Sequence, residues 1–391
     1  MRRFPVILLV VALAALAFAF WPRPKGELRA SLVAQAAPAD ATGFARANPG
    51  QPLLFPRDHG AHDDYQTEWW YYTGNLVAEN GERFGYQLTF FRRALTPPDQ
   101  RAERTSDWAA EQVYMAHFAV TDMNGGRHAS FEKLGRGAAG VGGAQADPFR
   151  VWLEDWSVTG EASSGGEPYH KAPERLRAAA GDVALNLRLV DTKGPVLQGD
   201  QGYSQKGPEE GNASYYYSLT RFDTAGTVAV GGKSYEVTGL SWMDHEYSTS
   251  ALGPEQIGWD WFSIQLDNDT ELMVFQLRRA DGSIDAFSSG TLIAADGSTT
   301  QLGADDFSLQ VTDTWRSPRS GGEYPSGWRL RIPLAQLDLT ITPHLQDQEM
   351  QVSYVYWEGA VKVQGAAGDE AVSGNGYVEL TGYAGTMQGQ F

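Results

Sequence analysis

Along most of the chain, apolar and polar residues alternate with a period of two. The cleanest run is Asp182–Leu189, where Val183, Leu185, Leu187 and Leu189 oppose Ala184, Asn186 and Arg188. That is the pattern of a strand with one buried face. A second run places Thr67, Trp69, Tyr71 and Thr73 on one face and Glu68, Trp70 and Tyr72 on the other. Aromatic residues on both faces predict a strand covered from both sides, as in a barrel wall packed against a second body. Asn80-Gly81 and Asn124-Gly125 stand between such runs and predict hairpin turns. Tyr215–Thr220 and Val228–Val230 give two further strands, whereas Gly194–Asn212 is polar, glycine-rich and without period, a candidate rim or lid. From about Val237 a second series begins, including Glu271–Arg278, Trp328–Ile332, Leu337–Ile341, Gln351–Trp357 and Gly376–Gly382. No long stretch carries a 3.6-residue apolar period, so few helices are expected. The fold class expected is all-β: two consecutive antiparallel barrels over residues 51–235 and 236–391. Barrels of about eight strands leave room for one small hydrophobic ligand.

The N-terminus departs from this pattern. Met1-Arg2-Arg3-Phe4 is a basic head, and Val6–Phe20 is an unbroken apolar run. The run is short for a membrane span and fits the core of a signal peptide, with Ala17-Phe18-Ala19 as a small-x-small cleavage site. Residues 1–21 are therefore expected to be a signal peptide or anchor, residues 22–50 a flexible tether, and the body of the protein exported, in the periplasm or cell envelope. Composition narrows the partners. With 31 basic against 48 acidic residues the net charge is −17, which argues against nucleic acid and equally against charge-driven adsorption to anionic lipid. Cysteine is absent, which removes disulfides, thiolate nucleophiles and Cys-based zinc sites.

Candidate chemistry gathers in Ser241-Trp242-Met243-Asp244-His245-Glu246-Tyr247 and in Gly258-Trp259-Asp260-Trp261-Phe262. On strands, Trp242, Asp244 and Glu246 share one face and Met243, His245 and Tyr247 the other, while Asp260 points away from Trp259 and Trp261. Carboxylic acids among indole rings should have raised pKa values, which suits acid chemistry on an apolar substrate. The same residues would serve equally as a satisfied polar network. The catalytic candidates are Asp260, His245, Glu246 and Asp244, with His245 and Asp260 expected close together. The ligand-binding candidates are Trp69, Trp70, Tyr71, Glu68, Trp242, Tyr247, Trp259 and Trp261. Glu68, beside two tryptophans, needs a partner, and Arg92 or Arg93 could supply it. Asp58, His59, His62, Asp63 and Asp64 could ligate a metal, but His-Glu-x-x-His is missing, and a polar plug at a barrel mouth is the preferred reading. No metal or other cofactor is expected. Gly-x-Ser-x-Gly is missing too, which argues against a serine hydrolase.

These motifs carry a resemblance. His62-x-x-Tyr65-x-x-Glu68-Trp69-Trp70-Tyr71-Tyr72-x-Gly74, Trp242-Met243-Asp244-His245-Glu246-Tyr247 and Gly258-Trp259-Asp260-Trp261 resemble the AttH-like family. So do Trp315-x-Ser317-Pro318, Tyr324-Pro325-x-x-Trp328, Tyr356-Trp357-Glu358-Gly359 and Gly376-Tyr377-x-Glu379-Leu380-x-Gly382-Tyr383. That family includes relatives of carotenoid 1,2-hydratase and kievitone hydratase. The resemblance implies a double lipocalin-like fold and a hydrophobic ligand, isoprenoid or lipid-like, with cofactor-independent addition of water to a C=C bond as one activity. It places His245 and Asp260 where a His and an Asp are implicated in hydratase members, and Tyr247 where an aromatic, often Trp, is usual. Exported relatives are often encoded beside an ABC-transporter permease, so a non-catalytic lipid-binding accessory protein is the alternative.

Overall fold

The computed structural model describes residues 41–101, 106–107, 109–161, 172–249 and 252–387. The basic head, the apolar run and most of the expected tether lie outside the described residues. The last part of that tether does not behave as one. Phe44 and Ala47 are buried, the Ala45 N–H donates to the Asp64 carbonyl (2.9 Å) and the Asn48 N–H to the Tyr215 hydroxyl (2.9 Å).

Period-two alternation becomes strand almost throughout. The first sheet contains β1 (Thr67–Ala78), β2 (Arg83–Ala94), β3 (Gln112–Asp122), β4 (Arg127–Arg136), β5 (Gly142–Ala146), β6 (Phe149–Leu153), β7 (Trp156–Gly160), β8 (Glu174–Ala180), β9 (Val183–Asp191), β10 (Pro195–Leu197), β11 (Tyr203–Gln205), β12 (Ala213–Val230) and β13 (Lys233–Ser248). Its main path runs β4-β3-β2-β1-β13-β12-β9-β8-β7-β6-β5, with β10 and β11 added beside β12. The sheet curls into a nearly closed barrel, bringing its two ends together. The second sheet contains β14 (Gln256–Leu266), β15 (Glu271–Arg279), β16 (Ser289–Ile293), β17 (Thr299–Gly303), β18 (Ser308–Arg316), β19 (Glu323–Ile332), β20 (Leu337–Pro343), β21 (Glu349–Gln351), β22 (Val355–Ala367) and β23 (Glu370–Leu380). It forms a half-barrel running β17-β16-β15-β14-β23-β22-β20-β19-β18. Among the described residues, helix is confined to single 3-10 turns such as Arg57–His59 and Pro333–Ala335.

Three expectations about layout need correction. The sheets change between Ser248 and Gln256, not at residue 235, because β13 pairs on one side with β12 and on the other with β1 and so belongs wholly to the first sheet. Tyr215–Thr220 and Val228–Val230 are two parts of one long strand, β12, bent at an irregularity between Leu219 and Phe222. The 194–212 segment is not without structure, since β10 and β11 pair with β12 within it. The weakly patterned β4 to β8 were not anticipated. Several of them are short or rich in Ala and Arg, residues with little β preference.

Each sheet has its own apolar core. The first is built around Trp70, Phe84, Leu88, Phe118, Trp156 and Leu187, the second around Phe262, Trp328, Leu339, Trp357 and Val378. Fully burying one such large apolar side chain is worth about 1.5–3 kcal/mol. A third cluster lies between the sheets, where Tyr71, Tyr216 and Trp242 meet Trp261, Phe275 and Tyr377. This layer explains the aromatic residues on both faces of β1: Trp70 and Tyr72 fill the barrel, and Tyr71 faces the second sheet. Polar contacts join the sheets as well, including Tyr71 hydroxyl to Glu358 Oε2 (3.0 Å) and Asn75 Nδ2 to the Gly376 carbonyl (3.0 Å).

Candidate functional site between the two sheets

Strand alternation decides which candidates meet. Across β2, β1 and β13 the register sets up transverse rows, Phe91–Trp69–Glu246 and Thr89–Tyr71–Asp244. Both rows face the second sheet. With Tyr216 of β12, and with Trp259, Trp261, Phe275, Leu277 and Glu379 across from them, they enclose a cavity of about 130 Å³. The walls are mainly aromatic, with three carboxyl groups among them.

Asp244 is held on both oxygens. The Trp242 indole N–H and the Ser218 hydroxyl donate to Oδ1 (2.7 and 2.5 Å), and the Tyr216 hydroxyl donates to Oδ2 (2.7 Å). Tyr216 in turn accepts the Trp261 indole N–H at 3.0 Å. Burial pushes the Asp244 carboxyl up to about 7 against these bonds. Glu379 accepts the Trp259 indole N–H on Oε2 at 2.7 Å, and its other oxygen has no hydrogen-bond partner among the described residues. Burial, reinforced by the negative charges of Asp244 and Glu246, pushes Glu379 up to about 7. Glu246 accepts the Ser214 hydroxyl and pairs with Lys206 Nζ at 3.3 Å. The Lys206 ammonium lies 4.1 Å from the Phe275 ring centroid and 5.4 Å from that of Tyr216. The glycine-rich 194–212 segment thus sends one cation into the aromatic chamber, which fits the rim expected of it.

His245 and Asp260 do not come together. His245 points into the first barrel, stacked on Trp70 (ring centroids 4.8 Å apart, 22° between planes). Its Nε2 lies 2.8 Å from Glu68 Oε1 and its Nδ1 3.0 Å from the Tyr217 hydroxyl. Asp260 accepts Arg278 Nε at 2.9 Å and the Tyr383 hydroxyl at 3.0 Å. The two share no partner among these contacts, because odd and even positions of a strand face opposite ways. Asp244 and Glu246 reach the cavity, and the intervening His245 cannot. Likewise Trp259 and Trp261 line it, and Asp260 between them does not. Among the expected ligand contacts, Trp69, Tyr71, Trp259 and Trp261 line the cavity and Trp242 stands behind Asp244. Trp70, Glu68 and Tyr247 belong to the barrel side.

On that side lies a polar network. Glu68, fully buried, takes Arg92 Nε on Oε2 (2.7 Å) and meets both His62 Nδ1 (2.7 Å) and His245 Nε2 at Oε1. Against the burial that opposes it, Arg92 and His62 hold Glu68 well below the usual carboxylate range. Burial lowers the His245 pKa. His62 stacks on Tyr247 at 3.5 Å and lies 3.4 Å from Asp58. His62, Glu68 and His245 offer three donor atoms within 4.8 Å of one another, the one grouping with metal-ligand chemistry among the described residues. His59 leaves the group and meets the Tyr217 hydroxyl at 2.5 Å. The polar plug expected of residues 58–64 is present, and its anchor is Glu68. Glu379, Tyr216 and Phe275 were not singled out from the sequence as site residues. For Glu379 a signal existed, since Tyr377 and Glu379 share one face of a strand in the same way as Tyr71 and Trp69.

Comparison with known proteins agrees with this architecture. The family model described as AttH-like matches residues 46–383. The crystal structure of a putative AttH from Nitrosomonas europaea is similar at 35% identity and a TM-score of 0.74, over 87% of this chain and all of that one. Kievitone hydratase from Nectria haematococca is similar in fold at 16% identity and a TM-score of 0.64, over 88% of this chain and 96% of that one. No match is found among curated proteins. With the family model spanning both sheets and the cavity between them, the chain belongs to the AttH-like family.

Proposed function

We propose that the chain binds an apolar molecule with a carbon–carbon double bond, isoprenoid or lipid-like, between its two sheets and adds water across that bond. The observation that carries this reading is the Glu379 carboxyl, set in an aromatic wall with one oxygen fixed by Trp259 and the other open. Its pKa near 7 keeps much of it protonated at neutral pH. The kievitone hydratase likeness supports the fold in which such chemistry would run.

In the forward step the Glu379 O–H gives its proton to one alkene carbon, and the π pair becomes the new C–H bond. The neighbouring carbon becomes cationic beside the Trp259, Trp261 and Tyr216 ring faces, which stabilise positive charge. Glu246, positioned by Ser214 and Lys206, accepts a proton from water as the water oxygen bonds to the cation. That proton returns to Glu379 through solvent, so the net change is addition of one water. Asp244 holds Tyr216 and Trp242 in place. The N-terminal basic head and apolar run support placing this activity outside the cytoplasm.

The test is incubation of purified protein with an acyclic carotenoid in isotopically labelled water, with mass spectrometry of the product. Incorporation of one labelled oxygen, lost in Glu379→Gln while the melting curve is kept, is expected. Full turnover by Glu379→Gln removes the mechanism. Retention of apolar ligand by the wild type with no product formed would leave a carrier, for which an envelope ABC-type permease is the partner to assay.

A further inference from the structure

The charged side chains that line the cavity are unequal in sign. Asp244 and Glu246 come from β13, Glu379 from β23, and the one cation among the described lining residues, Lys206, from the loop before β12. Tyr71 of β1 and Tyr216 of β12 are the other titratable groups of the wall, and burial raises both phenols, so they stay neutral. Three acids thus face one ammonium, and Lys206 pairs with Glu246. The hydrogen-bond partners of Asp244 are an indole, a hydroxyl and a phenol, and that of Glu379 is an indole, all of them neutral. A negative charge on Asp244 or Glu379 is therefore desolvated without a bonded counter-ion among the described residues, which is costly.

The aromatic walls have the complementary property. Ring faces attract cations through their quadrupole, most strongly where water is excluded. The structure contains an instance of this, because the Lys206 ammonium lies over the Phe275 ring, 4.1 Å from its centroid, and 5.4 Å from that of Tyr216. Lys206 reaches in from the rim, and its side chain is 19% exposed. Its backbone is tied down, with the N–H donating to the Asn212 carbonyl (2.9 Å) and the carbonyl accepting from Gln256 Nε2 (2.9 Å). Trp259 and Trp261 extend the same kind of wall toward Glu379.

We propose that this cavity is a receptor for apolar quaternary ammonium ions, with the ammonium head held between ring faces and the carboxyls of Asp244 and Glu379, and an alkyl chain along the aromatic wall. The proposal uses the apolar cavity of the reading above and does not depend on turnover. A carbocation formed during hydration and a quaternary ammonium ion ask the same of the wall, since each carries positive charge with no N–H or O–H to donate. Lys206 is a tethered competitor for the Phe275 face. A bound cation favours the ionised forms of the acids, so binding should release protons at pH 7. It should also tighten from pH 6 to pH 8, the range in which Asp244 and Glu379 ionise.

The experiment compares octyltrimethylammonium, octanol and octanoate below their micelle concentrations, with binding read from tryptophan fluorescence at pH 6 and pH 8. At pH 8 the wild type should bind the ammonium roughly ten- to a hundredfold more tightly than octanol. Octanoate should bind weakest, and the advantage of the ammonium should shrink at pH 6. Glu379→Gln should remove much of that advantage and leave octanol affinity as it was. Lys206→Gln should increase the advantage, since a ring face and Glu246 are released, and it reports independently should Glu379→Gln fold poorly. Asp182→Asn deletes one exposed carboxylate and controls for general attraction to a chain of net charge −17; it should leave the advantage unchanged. An advantage that falls equally in Glu379→Gln and Asp182→Asn, or that falls in Lys206→Gln, would place the ammonium outside the cavity and overturn the proposal. Equal affinity for all three compounds overturns it and leaves the apolar cavity reading standing. Binding of none of them removes both.

Discussion

Asp260 shows how one side chain can carry the right chemistry in the wrong place. Its neighbours Trp259 and Trp261 face the cavity, and its own carboxyl is spent on Arg278 and Tyr383. Asp260→Asn should therefore lower stability by roughly 1–3 kcal/mol through lost charged hydrogen bonding. Ligand binding should change no more than in an equally destabilised variant remote from the cavity, checked by urea titration beside a binding isotherm. Selective loss of ligand at unchanged stability would return Asp260 to the site. His245 belongs to the same case. Stacked on Trp70 and bonded to Glu68, it steadies the wall from behind.

At the scale of elements, the cavity exists because two sheets are held at a fixed spacing. One clamp is Glu271 of β15, buried and taking both Lys193 (2.5 Å) and Arg221 from the first sheet. Arg221 also donates to the Leu266 carbonyl at 2.9 Å. Neutralising the shared acceptor leaves two largely buried cations facing each other. Glu271→Gln should cost roughly 3–5 kcal/mol in chemical unfolding. Because the clamp lies away from the cavity lining, the loss should appear in stability before it appears in ligand selectivity. A cost under about 1 kcal/mol would show that the sheets hold their spacing without it. Gly85 on β2 makes the same point sterically, since an added Cβ would sit 2.6 Å from the Ala360 Cβ of the other sheet.

The whole molecule carries several buried acids whose pKa values are raised by burial: Glu174 to about 7 and Asp191 to about 6, besides Asp244 and Glu379 near 7. In the unfolded chain these groups ionise near 4. The folded state therefore binds more protons between pH about 4 and 7, and stability falls as pH rises across that window. Glu68 acts in the opposite sense, since its lowered pKa gives stability that is lost as pH falls below the usual carboxylate range. From these groups the melting temperature should be highest near pH 4–5 and decline up to about pH 7, measured by calorimetry in matched ionic strength. A flat profile from 5 to 8 would mean that the acids are ionised and paired in the fold. Turnover, if Glu379 is the acid, should decline above pH about 7 as that carboxyl ionises.

What the sequence determined by itself was local and periodic. Alternation specified the well-patterned strands though not β4 to β8, Asn-Gly turns specified hairpins, and the same period of two correctly divided Trp242, Asp244 and Glu246 from Met243, His245 and Tyr247. The aromatic residues on both faces of β1 even announced a second body beside the barrel. Tertiary structure alone decided which faces met. Nothing in residues 241–262 says that β13 closes the first sheet while β14 opens the second, so proximity in sequence suggested a His245–Asp260 pair that the sheet wall separates. Glu379 reaches the site from more than a hundred residues beyond its partners Asp244 and Glu246, through pairing of β23 with β14. Such long-range pairing depends on which curled surfaces bury the most apolar area together, a property of the assembled sheets that no single stretch of residues contains.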